Sequence, residues 1–165
     1  MGIQVLESTE DHAIGSWRGA VLYVWRKRTT MPAIATLEGH IRRHAAGSDP
    51  AVIFGFVDSQ AVPPSAPERD AIAALLKIPG SIVASAVTFQ GVGFQAAMIR
   101  FVATALTMLS RPAYPHRAFG SPTEGASFLN KQIVAAGRAA YPEAELVGAL
   151  DALRAAPLSA RSPSA

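Results

Sequence analysis

A chain of 165 residues that is half apolar and 16% charged belongs with single globular domains large enough to bury a core unaided. The absence of cysteine removes disulfides, thiolate metal sites and cysteine nucleophiles. The net charge of +3 rests on scattered basic residues, denser at Arg26-Lys27-Arg28 and around His40, Arg42, Arg43 and His44, so no continuous stripe for a nucleic acid is expected.

The opening Met1-Gly-Ile-Gln-Val-Leu-Glu-Ser lacks a basic region followed by an apolar core, which predicts a cytoplasmic protein. Ile3 to Ser8 alternates apolar and polar residues as a half-buried strand does. His12-Ala-Ile-Gly-Ser-Trp17 and Val21 to Lys27 read as two more strands, split by Arg18-Gly19. Three short runs with tight breaks predict an antiparallel meander.

Thr29-Thr30 and Pro32 then open a helix with Ile34, Leu37 and Ile41 on one face, Glu38 and Arg42 paired on the other, and Gly47 as its stop. Ala51 to Val57 is a continuous apolar run, the pattern of a strand covered on both faces. Ser65-Ala-Pro-Glu68 forms a capping box for a second helix, with Ile72, Leu75 and Leu76 as its buried stripe.

Residues 81–110 are the centre of the chain: a buried strand, a glycine turn, and a long helix apolar on most of its circumference. Gln95, Arg100, Thr104, Thr107 and Arg111 fall on one narrow polar line of that helix. Because Arg100 lies near the middle and the apolar run falls short of the ~20 residues a bilayer requires, the segment reads as a helix packed on a sheet and not as a span. Its remaining apolar surface predicts a second cover, either the C-terminal helix or, next in order, the other subunit of a homodimer.

His116 to Phe119 reads as a last short strand. Ser121-Pro-Thr-Glu124 is a second capping box, opening a helix to about Gly137, and Tyr141 to Leu153 forms a further helix. Residues 157–165, rich in Ser, Pro and Ala, are expected to be disordered behind a single domain over residues 1–156. The predicted fold class is α/β: a mixed sheet with an N-terminal antiparallel meander followed by βα units, helices packed on the sheet.

This element order, with Gly91-Val-Gly-Phe-Gln-Ala-Ala-Met-Ile-Arg100, the Pro64-Ser-Ala-Pro-Glu-Arg69 helix start and the closing Phe119-Gly-Ser-Pro-Thr-Glu-Gly-Ala-Ser-Phe-Leu129, resembles the STAS domain. That is the fold of anti-anti-sigma factors and of the cytoplasmic domain of sulphate transporters. The resemblance runs over roughly residues 3 to 133. It implies a non-enzymatic module that binds another protein and is switched, in some members, by phosphorylation of a serine in an Asp-Ser-(Ser/Thr)-Gly loop. Here the loop reads Asp58-Ser59-Gln-Ala-Val-Pro-Pro-Ser65: it keeps Asp-Ser, has no glycine, and places Ser65 at the helix start. The place carries over and the chemistry does not.

The candidate regulatory or partner-binding residues are therefore Asp58, Ser59, Ser65, Gly91, Gly93 and Arg100. A cap explains Ser65, which leaves Ser59 as the better candidate for modification. Gly91-x-Gly93-x-x-Ala96 formally fits a dinucleotide fingerprint, but no acidic residue follows where a ribose would be held, so a plain tight turn is the favoured reading. Arg100 is expected to anchor a neighbouring carboxylate or carbonyl, or to meet an anionic ligand. His40 and His44 have the spacing of a two-histidine metal face, yet no third ligand is evident and Arg42 and Arg43 would repel a cation. A solvated helix face is expected there. No cofactor or metal is implied. The expected function is protein binding by a STAS-like regulatory module; the alternative is a carrier or sensor of a small apolar or anionic ligand held under the long helix, and a nucleotide-binding enzyme ranks last.

Overall fold

The computed structural model describes residues 2–90 and 93–159. The described residues form one six-stranded sheet whose strands lie side by side in chain order. They run from β1 (Gln4–Ser8) through β2 (His12–Trp17), β3 (Ala20–Trp25), β4 (Ala51–Val57) and β5 (Ile82–Phe89) to β6 (His116–Phe119). The first three strands are antiparallel, and β3 to β6 are parallel, which is the mixed α/β sheet expected from the sequence. Arg18 and Gly19, with φ of 46° and 85°, make the turn between β2 and β3. Positive φ at both central residues gives the hairpin a turn whose twist matches its strands.

Parallel neighbours need crossovers, and three helices supply them: α1 (Met31–Ala45), α2 (Ala66–Leu75) and α3 (Phe94–Ser110). All three lie on one face of the sheet. Ile34, Leu37 and Ile41 of α1 and Leu75 of α2 pack with Ile14, Val21, Ile53 and Ile82. Ile99 and Ala103 of α3 pack with Val87 and Phe89. The opposite face is covered by α4 (Pro122–Ala135) and α5 (Glu143–Arg154), whose Leu129, Ile133, Leu146 and Leu150 meet Leu22, Val24, Phe54 and Phe56. With cover on both sides, β4 is buried from Ala51 to Phe56, as its unbroken apolar run requires.

The helix starts follow their caps. Thr30 Oγ1 accepts from the Ala33 N–H at 3.3 Å, and the Glu68 carboxylate accepts from the Ser65 N–H at 2.6 Å. Ser121 Oγ accepts from the Glu124 N–H at 3.3 Å. The expected Glu38–Arg42 pair forms at 2.7 Å.

Two expectations are overturned. The C-terminal helices do not cover α3, whose outward side leaves Phe101 69% and Met108 78% exposed. The reason lies across the sheet: Leu22, Val24, Phe54 and Phe56 form a second large apolar face, and α4 and α5 cover that one instead. Nor is His40 on a solvated helix face. It is 5% exposed, on the same stripe of α1 as Leu37 and Ile41. At the C-terminal end, Ser159 is held to Ser8: its N–H donates to the Ser8 carbonyl at 2.7 Å, and its Oγ accepts from the Ser8 N–H at 3.0 Å. The rest of the expected tail, residues 160–165, lies outside the described residues. Among the described residues no helix is long and apolar enough to cross a membrane.

Candidate functional site beneath the long helix

Side chains alternate along a strand, so every second residue of β3 to β6 points at the face that carries α1, α2 and α3. The register sets three cross-strand rows there. Val21, Ile53, Ser85 and His116 form the first; Tyr23, Gly55, Val87 and Ala118 the second; Trp25, Val57 and Phe89 the third. Gly55 interrupts the second row, and the Tyr23 ring lies across it. A Cβ at Gly55 would stand 2.0 Å from Tyr23 Cζ and 2.4 Å from its hydroxyl oxygen. Glycine is required here because an aromatic ring occupies the space above it.

Above this floor the helices do not close down fully. Leu37 and Ile41 of α1, Ile72 and Leu75 of α2, and Ile99, Val102, Ala103 and Leu106 of α3 line a half-open cavity of about 90 Å³. Val62, Pro63 and Pro64 of the loop after β4 stand at its rim, and Val62 is half exposed. That loop is held by backbone bonds, the Val62 N–H donating to the Lys27 carbonyl and the Ala61 N–H to the Asp58 carbonyl.

Among the residues that line this apolar space, five bring polar side-chain groups, and none of those groups is charged at neutral pH: Tyr23, Thr29, Ser85, His116 and, through its indole N–H, Trp25. Burial pushes the Tyr23 hydroxyl well above its ordinary value, with Tyr114 adding to the shift, so it stays protonated. Burial pushes His116 down to about 4, so its imidazole is neutral. Ser85 Oγ lies 3.0 Å from His116 Nδ1. Among the described residues the Tyr23 and Thr29 hydroxyls and His116 Nε2 have no protein hydrogen-bond partner.

A serine hydroxyl beside an imidazole is the contact of an activated nucleophile. Here the register explains it more simply, since Ser85 and His116 are direct cross-strand partners on the same face and satisfy one another. An imidazole held near 4 is also a weak base at neutral pH. The geometry suits hydrogen bonding to an uncharged group and not proton abstraction.

The residues singled out from the sequence gather around this space unevenly. Asp58 and Ser59 begin the rim loop, where Asp58 Oδ1 accepts from the Ser59 hydroxyl at 3.3 Å and the Gln60 N–H at 3.4 Å. Ser65 caps α2 at the end of that loop. Gly93, with φ of 110°, begins α3, the roof of the cavity, and Gly91 lies outside the described residues. Arg100 is exposed on the flank of α3, not over the cavity; its guanidinium leans to the turn after β6, 3.5 Å from where a Cβ on Gly120 would stand. The carboxylate or carbonyl anchor expected of it does not form among the described residues. His40 and His44 stack edge-to-face at 4.6 Å, and no group of three metal-ligating side chains forms among the described residues.

Sequence reasoning missed the groups that matter most in this space, Tyr23, Thr29, Ser85 and His116. The one available signal was Gly55, a glycine inside an otherwise bulky strand, which marks a close approach.

No family model, curated protein or solved structure matches the chain.

Proposed function

We propose that the chain is a non-enzymatic, STAS-like binding module whose site is the cavity beneath α3, where it takes up a small, largely apolar molecule. The cavity itself carries this reading. Protein interiors are close-packed with few voids larger than a water molecule, whereas about 90 Å³ lies open here between the sheet and three helices. An engineered apolar cavity of about 150 Å³ binds benzene, so the smaller space suits a ligand, or a ligand segment, of about four heavy atoms. Xenon tests the site without reference to any head group. Under xenon pressure, the methyl NMR signals of Ile53, Val87 and Ile99 are expected to shift, with Val134 on the far side unmoved. An Ala103→Phe variant is expected to abolish the shift. Unmoved signals in the native protein would sink the reading.

A second reading follows the resemblance to STAS domains: the outward side of α3 is a protein-binding surface, and the partner that suits it is a second copy of this chain. Its support is the apolar line of Met98, Phe101 and Met108, which are 38%, 69% and 78% exposed. A two-fold axis through this face would set the apolar line of one copy against that of the other. Sedimentation equilibrium is expected to give a dimer that Phe101→Asp converts to monomer; a native monomer up to the solubility limit would remove this reading.

A further inference from the structure

The polar groups around the cavity narrow the class of ligand, an inference that rests on the cavity being the binding site. We infer that the ligand is an uncharged molecule with an apolar body and a hydrogen-bonding head group, of the alcohol, ketone or amide class, and that the Tyr23 hydroxyl and His116 Nε2 select it.

Lys, Arg, Asp and Glu are all missing from the described residues that line the cavity. An unpaired charge brought into such a space loses its water and gains no counter-ion, which costs far more than a hydrogen bond returns. The one titratable group near neutrality, His116, is neutral because it is buried, and its neighbour is an uncharged hydroxyl, so it supplies no cation for an acid to meet.

What the space contains points the same way. The Tyr23 hydroxyl is laid over Gly55 in the middle of the floor, and strand β5 separates it from His116. Ser85 occupies Nδ1 of that ring and leaves Nε2 for a ligand. A phenol both donates and accepts, and a neutral imidazole offers one donor and one acceptor in total. An alcohol, a carbonyl oxygen or an amide satisfies such groups; a hydrocarbon leaves them unpaired. One neutral hydrogen bond is worth roughly three- to tenfold in affinity, and an uncompensated charge about a hundredfold or more.

The test compares molecules of one size in the full-length protein: 1-butanol, n-pentane, butyrate and butylammonium, with affinities read from the methyl shifts of Val87 and Ile99 and from the fluorescence of Trp25, which lines the cavity. 1-Butanol is expected to bind at least about a hundredfold more tightly than either ion. Tyr23→Phe, which removes a single oxygen, is expected to weaken 1-butanol by roughly three- to tenfold and to leave n-pentane unchanged. Butyrate binding as well as 1-butanol would overturn the inference, and so would indifference of 1-butanol to Tyr23→Phe. Either result with xenon and n-pentane still entering leaves the site standing and removes this ligand class. Failure of every probe, xenon included, removes the site itself.

Discussion

His40 and His116 are both held where a proton is unwelcome, and the protein is expected to answer to pH through them. Burial lowers His40 to about 4, with His44 and Arg43 adding repulsion, and burial alone lowers His116 to about 4. Neither ring nitrogen of His40 has a partner among the described residues. In the unfolded chain both rings titrate near 6.5, so between about 6.5 and 4 the unfolded state binds protons that the folded state refuses. Stability is therefore whole above about 6.5 and falls as pH drops toward 4, with a slope of up to about 1.4 kcal/mol per pH unit for each ring. Urea unfolding at a series of pH values is expected to show this, and His40→Leu to flatten the slope by up to one proton. Gly55 carries a prediction of the opposite kind. Gly55→Ala drives a methyl group into the Tyr23 ring and is expected to cost about 1–3 kcal/mol, which Tyr23→Ala relieves in the double variant. Neither His40 nor Tyr23 could be placed from the sequence. His40 lies three residues after Leu37 and beside Ile41, but Glu38, Arg42 and Arg43 around it point to water, and Tyr23, Ser85 and His116 are brought to one cavity only by a register that spans four strands.

α3 divides its residues sharply between two sides. Ile99, Ala103 and Leu106 are buried against the floor, while Phe101 and Met108 stand out into solvent. Leu106→Ala is expected to cost about 2–4 kcal/mol and to enlarge the cavity, whereas at concentrations dilute enough to hold the chain as a monomer Phe101→Ser is expected to stay within about 0.5 kcal/mol of the native protein in thermal unfolding. A loss from Phe101→Ser that grows with protein concentration is what a dimer through this side would give. Element by element the sequence was readable where the chain itself supplies the signal. Thr30, Ser65 and Ser121 mark helix starts by the hydrogen bonds their own neighbourhoods require, and the run Ala51 to Val57 marks a strand with two covered faces. What could not be read is which face a helix chooses. The apolar stripes of α4 and α5 would fit against α3 as well as against Phe54 and Phe56, and only the competition between the two surfaces decides.

Across the whole molecule Arg26 ties three distant parts together. From the end of β3 its guanidinium donates to Ser8 Oγ at 3.0 Å and to the Thr9 carbonyl, and on its other side to the carbonyls of Leu153, Arg154 and Ala156 at 3.3, 3.1 and 3.1 Å. It thus satisfies the open C-terminal end of α5 while fixing the first hairpin beside it. Arg26→Leu is expected to cost about 2–3 kcal/mol in denaturant unfolding, since several partly buried carbonyls lose a charged donor at once. The order of the strands has its own consequence during synthesis. Each new strand leaves the ribosome to find its neighbour already in place, so a nascent chain can assemble β1 to β6 progressively and with little rearrangement. Yet until α4 and α5 emerge, Leu22, Val24, Phe54 and Phe56 remain wet, and a polypeptide stopped at Gly120 would carry a finished sheet with one oily side bare, ready to stick to its own kind.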